Sequence, residues 1–308
     1  MKIPTLQSVL AEGQMLAPDT FDGISTRAAE HLGCKCALLS ASALTHTVYG
    51  TPDEGTLGVS DMVWSLSRFV EDNCGIPLVV EVRSGFSDNL RIMPYDLERI
   101  VKAGAAAMLL DDRIFGCGSD SEQLALVSKE VFAKKVAIAV EAASNTDCMV
   151  LARSFAPDAK DAAERCKAAK EAGAEMVGAV CMHTEEDAAW FAAEISGPKL
   201  WSDLTAKDGA AEVTAERLDE LGYKLVFITF MEKGAWYGDM DYGEKNWKNR
   251  NTVYADLDDF DGYLRNEDGS LRDYHYIFSY WKKWMPLEKQ FEDLKELGDD
   301  AYQKEPAK

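Results

Sequence analysis

The chain has 308 residues, of which 47% are hydrophobic and 10% aromatic, so it can bury a large core and is not predominantly disordered. Its 53 acidic and 33 basic residues give a formal net charge of −20, which would repel nucleic acid or an anionic membrane over most of the surface. The start lacks the apolar stretch of a signal peptide, and no apolar run approaches the roughly 20 residues of a transmembrane helix. We therefore expect a cytoplasmic protein with neither a nucleic-acid nor a membrane partner, although small anions can still bind locally.

The seven cysteines are an odd number at scattered positions, which is not the pattern of a disulfide framework. We expect them to be reduced thiols. Cys34 and Cys36 have C-x-C spacing, but no second cysteine pair or nearby histidine pair completes a zinc site. Burial as small apolar side chains is therefore favoured over metal binding.

Short apolar runs alternate along the chain with segments of helical pattern, which is typical of parallel strands joined by crossover helices. Eight such runs suit a closed β/α barrel, a (β/α)8 TIM barrel, better than an open doubly wound sheet, which usually stops at five or six strands. The predicted strands are residues 15–18, 36–40, 78–82, 107–111, 149–154, 176–181, 199–204 and 224–230.

The intervening segments carry the signals of helix ends. Residues 158–174 are rich in helix-forming residues, and Gly173 suits a left-handed C-terminal cap. Residues 94–104 place apolar side chains on one face before Gly104. Each predicted helix thus runs directly into the next strand.

A different composition begins at about Gly234, where the sequence becomes polar and aromatic-rich without a clean period. Residues 266–269 indicate a turn, and residues 274–297 predict one or two amphipathic helices with an aromatic stripe. Such a stripe is expected to pack on the barrel or on a neighbouring subunit. We therefore predict a barrel over residues 1–233 and a C-terminal helical extension over residues 234–308.

Polar residues close several of the predicted strands, and in a β/α barrel the reactive groups lie at these strand ends. Acidic side chains that meet at one mouth suit Mg²⁺, which binds one or two carboxylates and keeps several waters. The alternative is that such charges only solvate the rim, but Glu81 and Asp111 each end a buried apolar strand and favour a site. The candidates are Ser40, Ser42, Asp53, Glu81, Arg83, Asp111, Asp112, Arg153 and Asp203.

Residues 13–42, GQMLAPDTFDGISTRAAEHLGCKCALLSAS, resemble the opening of the isocitrate lyase and phosphoenolpyruvate mutase superfamily, and of its 2-methylisocitrate lyases in particular. That opening has an A-P-x-x-[YF]-D-x-x-S-A-[RK] segment and later a strand that ends in L-S-G-S. The likeness continues in order at residues 49–53 (YGTPD, against G-x-P-D), 80–86 (VEVRSGF, against D-A-D-T-G-Y), 110–113 (LDDR, against I-E-D-[QK]), 152–153 (AR), 172–176 (AGAEM) and 221–226 (LGYKLV).

The resemblance implies a barrel whose C-terminal helix packs on, or is swapped with, a partner subunit in a homo-oligomer, a dimer or tetramer. It implies cleavage of a bond next to a 2-oxo or 2-hydroxy acid carbon, through an enolate held by Mg²⁺. Metal-binding residues would be Asp53, Glu81 and Asp111. The substrate carboxylate would be clamped by Arg153 and bound by the segment Ser40, Ala41 and Ser42, with Asp203 also at the substrate.

The loop after the fourth strand reads FGCGS over residues 115–119, where lyases of the superfamily that cut C–C bonds carry K-[KR]-C-G-H. In that match Cys117 is the catalytic acid or base, while the basic residues and the histidine are missing. A thiol between two glycines is expected on a flexible, exposed loop, where it is well placed to react. The alternative is an incidental loop cysteine.

Two positions depart from the superfamily pattern. Arg83 stands where the second acid of D-A-D is usual, and a guanidinium cannot bind Mg²⁺. It either points away, pairs with Glu81 or Asp111, or takes over part of the cation's role. Val180 stands where relatives often have Glu or His, and His183 is expected at the surface.

Three hypotheses follow. The first is a divergent lyase that cleaves a small carboxylic acid with Mg²⁺, Cys117, Arg153 and Arg83. The second is an enzyme of the same superfamily that acts on the C–P bond of a phosphonate. The third is a barrel that has lost catalysis and binds a metabolite. The C-G pair favours the first, the missing asparagine motif of the mutases counts against the second, and Arg83 with Val180 favours the third or an altered substrate.

Overall fold

The computed structural model describes residues 3–72, 75–118, 124–204, 206–207 and 210–248. Eight parallel strands close into a barrel in the order β1-β10-β7-β6-β5-β4-β3-β2, and β8 and β9 form a separate antiparallel pair. The strands are β1 (Met15–Thr20), β2 (Ala37–Leu39), β3 (Leu78–Arg83), β4 (Ala107–Asp111), β5 (Met149–Ser154), β6 (Met176–Ala179), β7 (Lys199–Trp201), β8 (Ala206–Lys207), β9 (Ala210–Ala211) and β10 (Tyr223–Ile228).

Helices surround the barrel. Several begin at a residue whose side chain accepts a backbone N–H of the first turn, as Ser, Thr and Asp commonly do; these are Thr5, Asp22, Ser40, Ser128, Asp158, Thr184 and Thr214. The helices are α1 (Leu6–Leu10), α2 (Gly23–His31), α3 (Ala41–Tyr49), α4 (Val59–Asp72), α5 (Met93–Lys102), α6 (Lys129–Ala143), α7 (Ala159–Glu171), α8 (Glu185–Glu194), α9 (Ala215–Glu220) and α10 (Met231–Lys248).

Apart from the exposed Leu16 of β1, the barrel strands are largely buried on both faces, and successive side chains point alternately inward and outward. The outward side chains form the core shared with the helices, and the inward ones fill the barrel together with Leu6 and Val9 of α1. The inward set includes Ala17, Leu38, Val79, Leu109, Leu151, Leu200, Leu225 and Phe227. The barrel interior is thus a packed core, and the residues available for chemistry lie at the carboxyl ends of its strands.

The predicted β/α barrel is confirmed, and all eight predicted strands overlap the observed ones. The two helices singled out in the sequence are α5 and α7. Gly104 and Gly173 follow them with φ of 101° and 107°, backbone angles that glycine adopts without strain. The short β8–β9 pair carries no apolar run and was not predicted.

Residues 234–248 are helical, although the sequence shows no clean period there. The carboxylate of Asp19 accepts the N–H groups of Phe230, Met231 and Glu232 at 2.8, 2.9 and 3.1 Å, which fixes the start of α10. Beyond that start the helix exposes Trp236 and Tyr237, so no buried apolar stripe marks it in the sequence.

The chain groups into two compact units, Met1–Asp241 and Tyr242–Lys308. Of the second unit the structure describes only the end of α10, so the predicted turn at residues 266–269 and helices at 274–297 lie outside the described residues. The division at residues 233/234 stays a prediction. Within the described ranges no helix is long and apolar enough to cross a membrane.

Candidate active site at the barrel mouth

Three ionisable residues extend the inward-facing rows of neighbouring strands. Glu81 ends the inward row of β3, Asp111 that of β4 and Arg153 that of β5, and Asp111 is the register partner of Arg153. The inward residue two positions earlier in each strand is apolar: Val79, Leu109 and Leu151. The two-residue period of the strands therefore brings these three charges together above the apolar filling.

Arg83 follows an irregularity at the end of β3. The pairing with β4 shifts between Glu81 and Arg83, and Arg83 has a φ of 51°, which is uncommon for a residue other than glycine. Irregularities of this kind redirect a side chain next to active sites. Here the Arg83 guanidinium forms an ion pair with Asp53 and donates from Nη2 to Thr45 Oγ1 at 3.3 Å. Of the alternatives considered for Arg83, the pairing with Glu81 or Asp111 is therefore wrong.

Each predicted metal-binding carboxylate is in contact with an arginine. Asp53 pairs with Arg83, and Glu81 pairs with Arg153. Asp111 is bound by the fork of Arg113, with Nη2 to Oδ2 at 2.6 Å and Nε to Oδ1 at 3.1 Å. The exposed fraction of these carboxylate and arginine residues is between 0% and 7%. Buried charges are tolerated when they are paired in this way.

Arg113 and Arg153 also share an aromatic partner. Their guanidinium carbons lie 4.0 and 5.0 Å from the centre of the Phe155 ring. Burial acts to lower the pKa of Arg113, but the charge and hydrogen bonds of Asp111, with smaller effects of Asp53 and Cys117, raise it overall. Burial lowers the pKa of Arg153 to about 10, against the opposing charges of Asp203 and Asp53. Both side chains therefore remain cationic near neutral pH.

The predicted carboxylate-binding segment at Ser40, Ala41 and Ser42 contacts the protein's own Glu81. The Ala41 N–H donates to Glu81 Oε2 at 2.7 Å, and the Ser40 hydroxyl lies 3.4 Å from the same oxygen. Ser40 Oγ also accepts the Ala43 N–H, and it lies 3.1 Å from Ser42 Oγ. The segment can thus bind a carboxylate, which in this structure is that of Glu81.

Cys117 is buried, with 5% of its surface exposed, so the predicted exposed thiol is wrong. The reason is close contact between two loops. A Cβ atom built on Gly118 would lie 1.8 Å from the Asp53 carbonyl oxygen, and one on Gly55 would lie 2.6 Å from the Gly116 carbonyl carbon. A small pocket with room for about one water molecule lies beside the thiol; it is lined by Gly55, Leu57, Arg83, Ser84, Phe86, Ile114, Phe115, Gly116 and Cys117.

Two further interactions position the Cys117 loop. The Phe115 N–H donates to Asp88 Oδ2 at 2.9 Å. The fully buried Lys135 of α6 donates to Asp88 Oδ1 at 2.6 Å and to the Ser84 and Ser87 carbonyls at 3.0 and 3.2 Å. A buried cation therefore holds the loop after β3 and, through Asp88, the loop after β4.

Asp203 lies beside the end of β10. Its carboxylate accepts the Thr229 N–H at 3.2 Å and the Thr229 hydroxyl at 2.8 and 2.9 Å. Burial raises its pKa, partly offset by these hydrogen bonds. The charge of Asp203 reaches Arg153, so it belongs to the same mouth. Val180 follows the end of β6, and His183 is exposed, as expected.

Sequence reasoning missed Arg113 and Phe155 as site residues. Arg113 was available as a signal, because it follows Asp111 at an even spacing beyond a buried strand. Phe155 directly follows β5 and gives no polar signal. Asp112 faces away from the mouth and accepts from Ser154 Oγ at 2.7 Å, the Phe155 N–H at 2.8 Å and Arg165 Nη1 at 3.3 Å.

The residues present do not fit a divalent cation in this arrangement. All three proposed carboxylates are engaged by guanidinium groups, which cannot bind a metal and would repel one. In the described part of the chain no cluster of three Asp, Glu, His or Cys residues is arranged to hold a metal ion. The buried polar atoms that lack a partner there are N–H donors of Arg83, Arg113 and Arg153, and Ser202 Oγ. Guanidinium donors of this kind call for an anion.

Comparison with known proteins assigns the chain to a family. The family model described as phosphoenolpyruvate phosphomutase matches residues 6–240, which include the whole barrel. The chain belongs to this family, within the isocitrate lyase and phosphoenolpyruvate mutase superfamily. The superfamily predicted from the sequence is thus confirmed.

Individual relatives have carbon–carbon lyase names. The 2-methylisocitrate lyase of Aeropyrum pernix is 26% identical over 219 residues, 70% of this chain and 69% of that protein. The 2,3-dimethylmalate lyase of Eubacterium barkeri is 28% identical over 216 residues, 68% and 73% of the two chains. A phosphonopyruvate hydrolase solved with oxalate and Mg²⁺ shares the fold with a TM-score of 0.74 at 20% identity, covering 93% of this chain and 97% of that one.

Proposed function

We propose that this family member is a lyase that cleaves the C–C bond of a small 2-hydroxy or 2-oxo carboxylic acid. The observation that carries the proposal is the small pocket at the barrel mouth, which Arg83 and Cys117 line together. A guanidinium able to bind a carboxylate and a thiol able to exchange a proton thus line the same pocket. The lyase names of the relatives support the same reaction class.

The residues of the mouth suit the charge changes of such a cleavage. When the bond of a 2-hydroxy acid breaks, the hydroxyl carbon becomes a carbonyl and its hydroxyl proton passes to a carboxylate base of the mouth. The electron pair of the broken bond moves to the carbon next to the carboxylate, and negative charge develops on an enolate oxygen. The guanidinium of Arg83, with Arg153 nearby, would stabilise that charge and hold the substrate carboxylate. The Cys117 thiol would give its proton to the new carbanionic carbon. Asp203 would contact the substrate beside Arg153.

The predicted Mg²⁺ cofactor takes no part in the proposed cleavage. Relatives include the hydrolase solved with Mg²⁺, but here Asp53, Glu81 and Asp111 are paired with arginines. A thermal-unfolding experiment tests the cofactor directly: if Mg²⁺ alone stabilises the wild type and not Glu81→Ala, the metal prediction is correct.

A phosphonate substrate is the second candidate. The phosphonopyruvate hydrolase fold is similar, and unused guanidinium donors suit phosphonate oxygens as well as carboxylate oxygens. A barrel that binds a metabolite without catalysis is the third, favoured by Arg83 and Val180. A turnover screen separates the three candidates.

The screen offers 2-methylisocitrate, 2,3-dimethylmalate, oxaloacetate and phosphonopyruvate, and it measures release of pyruvate, glyoxylate, oxalate and phosphate. We expect C–C cleavage of at least one carboxylic acid. Cys117→Ser should lower that turnover at least tenfold, while the control Cys181→Ser, on the outer side of the barrel, should not. Release of phosphate and an equal amount of pyruvate from phosphonopyruvate, with no turnover of the carboxylic acids, would favour the second candidate. No turnover of any compound would favour the third.

We also infer that the protein is a cytoplasmic homo-oligomer, a dimer or tetramer, with a barrel over residues 1–233 and an extension over 234–308. Support comes from the exposed apolar side chains of α10, namely Trp236, Tyr237 and Met240. Light scattering on the purified full chain measures the molar mass. A molar mass of 34.0 kDa, which is that of a single chain, would contradict the oligomer.

A further inference from the structure

Three buried arginines at the mouth carry N–H groups that no other described residue accepts. These groups are Nε and Nη1 of Arg83, Nη1 of Arg113 and Nε of Arg153. The three side chains are 5%, 1% and 7% exposed as whole residues. An unsatisfied buried donor is costly, and native structures contain few of them. Several at one place indicate that an acceptor is expected there.

The three arginines form one group. Arg113 and Arg153 share the Phe155 ring, and Arg153 Nη2 lies 4.0 Å from Asp111 Oδ2, the oxygen that Arg113 binds. Arg83 joins them through Asp53, whose charge acts on both other arginines. Asp53, Glu81 and Asp111 offset three positive charges with three negative ones, so the unused donors rather than a net charge define the ligand.

We propose that Arg83, Arg113 and Arg153 form a binding site for a small dicarboxylate that operates without a divalent cation, the arginines taking the place of the metal. This inference rests on the proposed function, since the dicarboxylate is the substrate or product class of the lyase. A guanidinium binds carboxylate oxygens in a fixed planar geometry, and here each arginine already shows that it accommodates one carboxylate.

A cation at the same place would meet opposing forces. It would have to displace a guanidinium from at least one carboxylate, and each displaced guanidinium would remain buried without its partner. A dicarboxylate instead offers acceptors to guanidinium donors that lack them, and Arg83 lines the small pocket through which it would be reached. The net charge of −20 makes unspecific association with an anion unfavourable, so measured binding reports a local site.

The test is calorimetric titration of oxalate into the full-length protein, once in excess EDTA and once in Mg²⁺ at equal ionic strength. We expect oxalate to bind in EDTA with an affinity within about threefold of that in Mg²⁺. We also expect Mg²⁺ alone to leave the melting temperature unchanged. Binding of oxalate only with Mg²⁺, or in neither buffer, would overturn the proposal.

Variants locate the site. Arg113→Lys and Arg83→Lys keep one positive charge beside Asp111 and Asp53 but remove the fork, and each should weaken oxalate binding in EDTA by about tenfold or more. The matched control is Arg165→Lys, because the described contacts of Arg165 are with Asp112, Asp161 and Val127. Unchanged oxalate affinity in both test variants would exclude these arginines. If neither variant folds, the wild-type comparison of EDTA with Mg²⁺ still decides.

The two proposals fail in different ways. Oxalate binding in EDTA without turnover of any acid would leave the anion site correct and the lyase wrong. Turnover that vanishes in EDTA, with oxalate binding lost as well, would leave the lyase correct and the metal-free site wrong.

Discussion

A methyl group added at Gly118 would test whether the two mouth loops must touch. Its Cβ would lie 1.8 Å from the Asp53 carbonyl oxygen and 2.5 Å from the Gly55 nitrogen, whereas ordinary contact begins at 3.4 Å. The difference between 3.4 and 1.8 Å requires the backbones to separate by about 1.6 Å, because neither contact is with a flexible side chain. Gly118→Ala therefore moves Cys117 relative to Asp53 and Arg83.

The expected magnitude follows from that displacement. Overpacking of this kind costs about 1–3 kcal/mol, which lowers the melting temperature by roughly 2–12 °C in a domain of this size. A shift of about 1 Å at reacting groups can reduce turnover by a factor of about 100. We therefore expect a moderate loss of stability, measured by thermal unfolding. The loss of kcat/KM should be much larger, and it is measured with the acid that the substrate screen identifies as the substrate.

The control for this substitution is Gly238→Ala. Gly238 lies within α10 with no atom within 4 Å of the added Cβ, and alanine is favoured over glycine in helices by about 1 kcal/mol. It should leave turnover unchanged. If Gly118→Ala has the melting temperature of the wild type and keeps full turnover, the contact between the loops is not what positions the thiol.

Three further outcomes are expected. Asp19→Ala leaves three N–H groups at the start of α10 without their acceptor and should cost about 2 kcal/mol, seen as a lower melting temperature and faster amide exchange in the first turn. Burial raises the pKa of the Cys36 thiol to about 12, so this thiol is protonated at pH 8. After treatment of the folded protein with an alkylating reagent at pH 8, mass spectrometry should find Cys36 unmodified and the half-buried Cys34 modified. Lys135→Met removes the cation that holds Asp88. It should raise the activation free energy that corresponds to kcat by more than it lowers the free energy of unfolding. Equal changes in these two free energies would indicate a purely structural role.

The barrel could be predicted from the sequence because its strands, apart from Leu16 of β1, are largely buried on both faces. Such strands are short continuous apolar runs, and an acid that interrupts one, such as Glu81 or Asp111, stands out. The two-residue period even gives the direction of these side chains, since Val79 and Leu109 precede them on the same face. The mouth residues on regular strands were therefore within reach of sequence reasoning.

The ion pairs among those residues could not be predicted from the sequence. Arg83 meets Asp53 because of an irregularity in β3 and a positive φ at a residue other than glycine, and neither is encoded in a periodic pattern. The burial of Cys117 depends on Gly118 approaching the backbone of Asp53, which is distant in sequence. The start of α10 is fixed by Asp19, which is contributed by the first strand of the barrel. All three are long-range contacts that local sequence does not specify.

Replacing a metal by arginines changes what controls the site. A cation is held by affinity and can be removed, whereas Arg83, Arg113 and Arg153 are covalent parts of the barrel. The charges of Arg113 and Arg153 are also insensitive to pH in the physiological range, because the pKa of Arg113 is raised and the lowered pKa of Arg153 is still about 10. The carboxylates that pair with them fix their orientation before a ligand arrives. A mouth of this kind binds an anion according to the ionisation of the ligand, independently of the supply of divalent cation, and this distinguishes it physically from a mouth built around Mg²⁺.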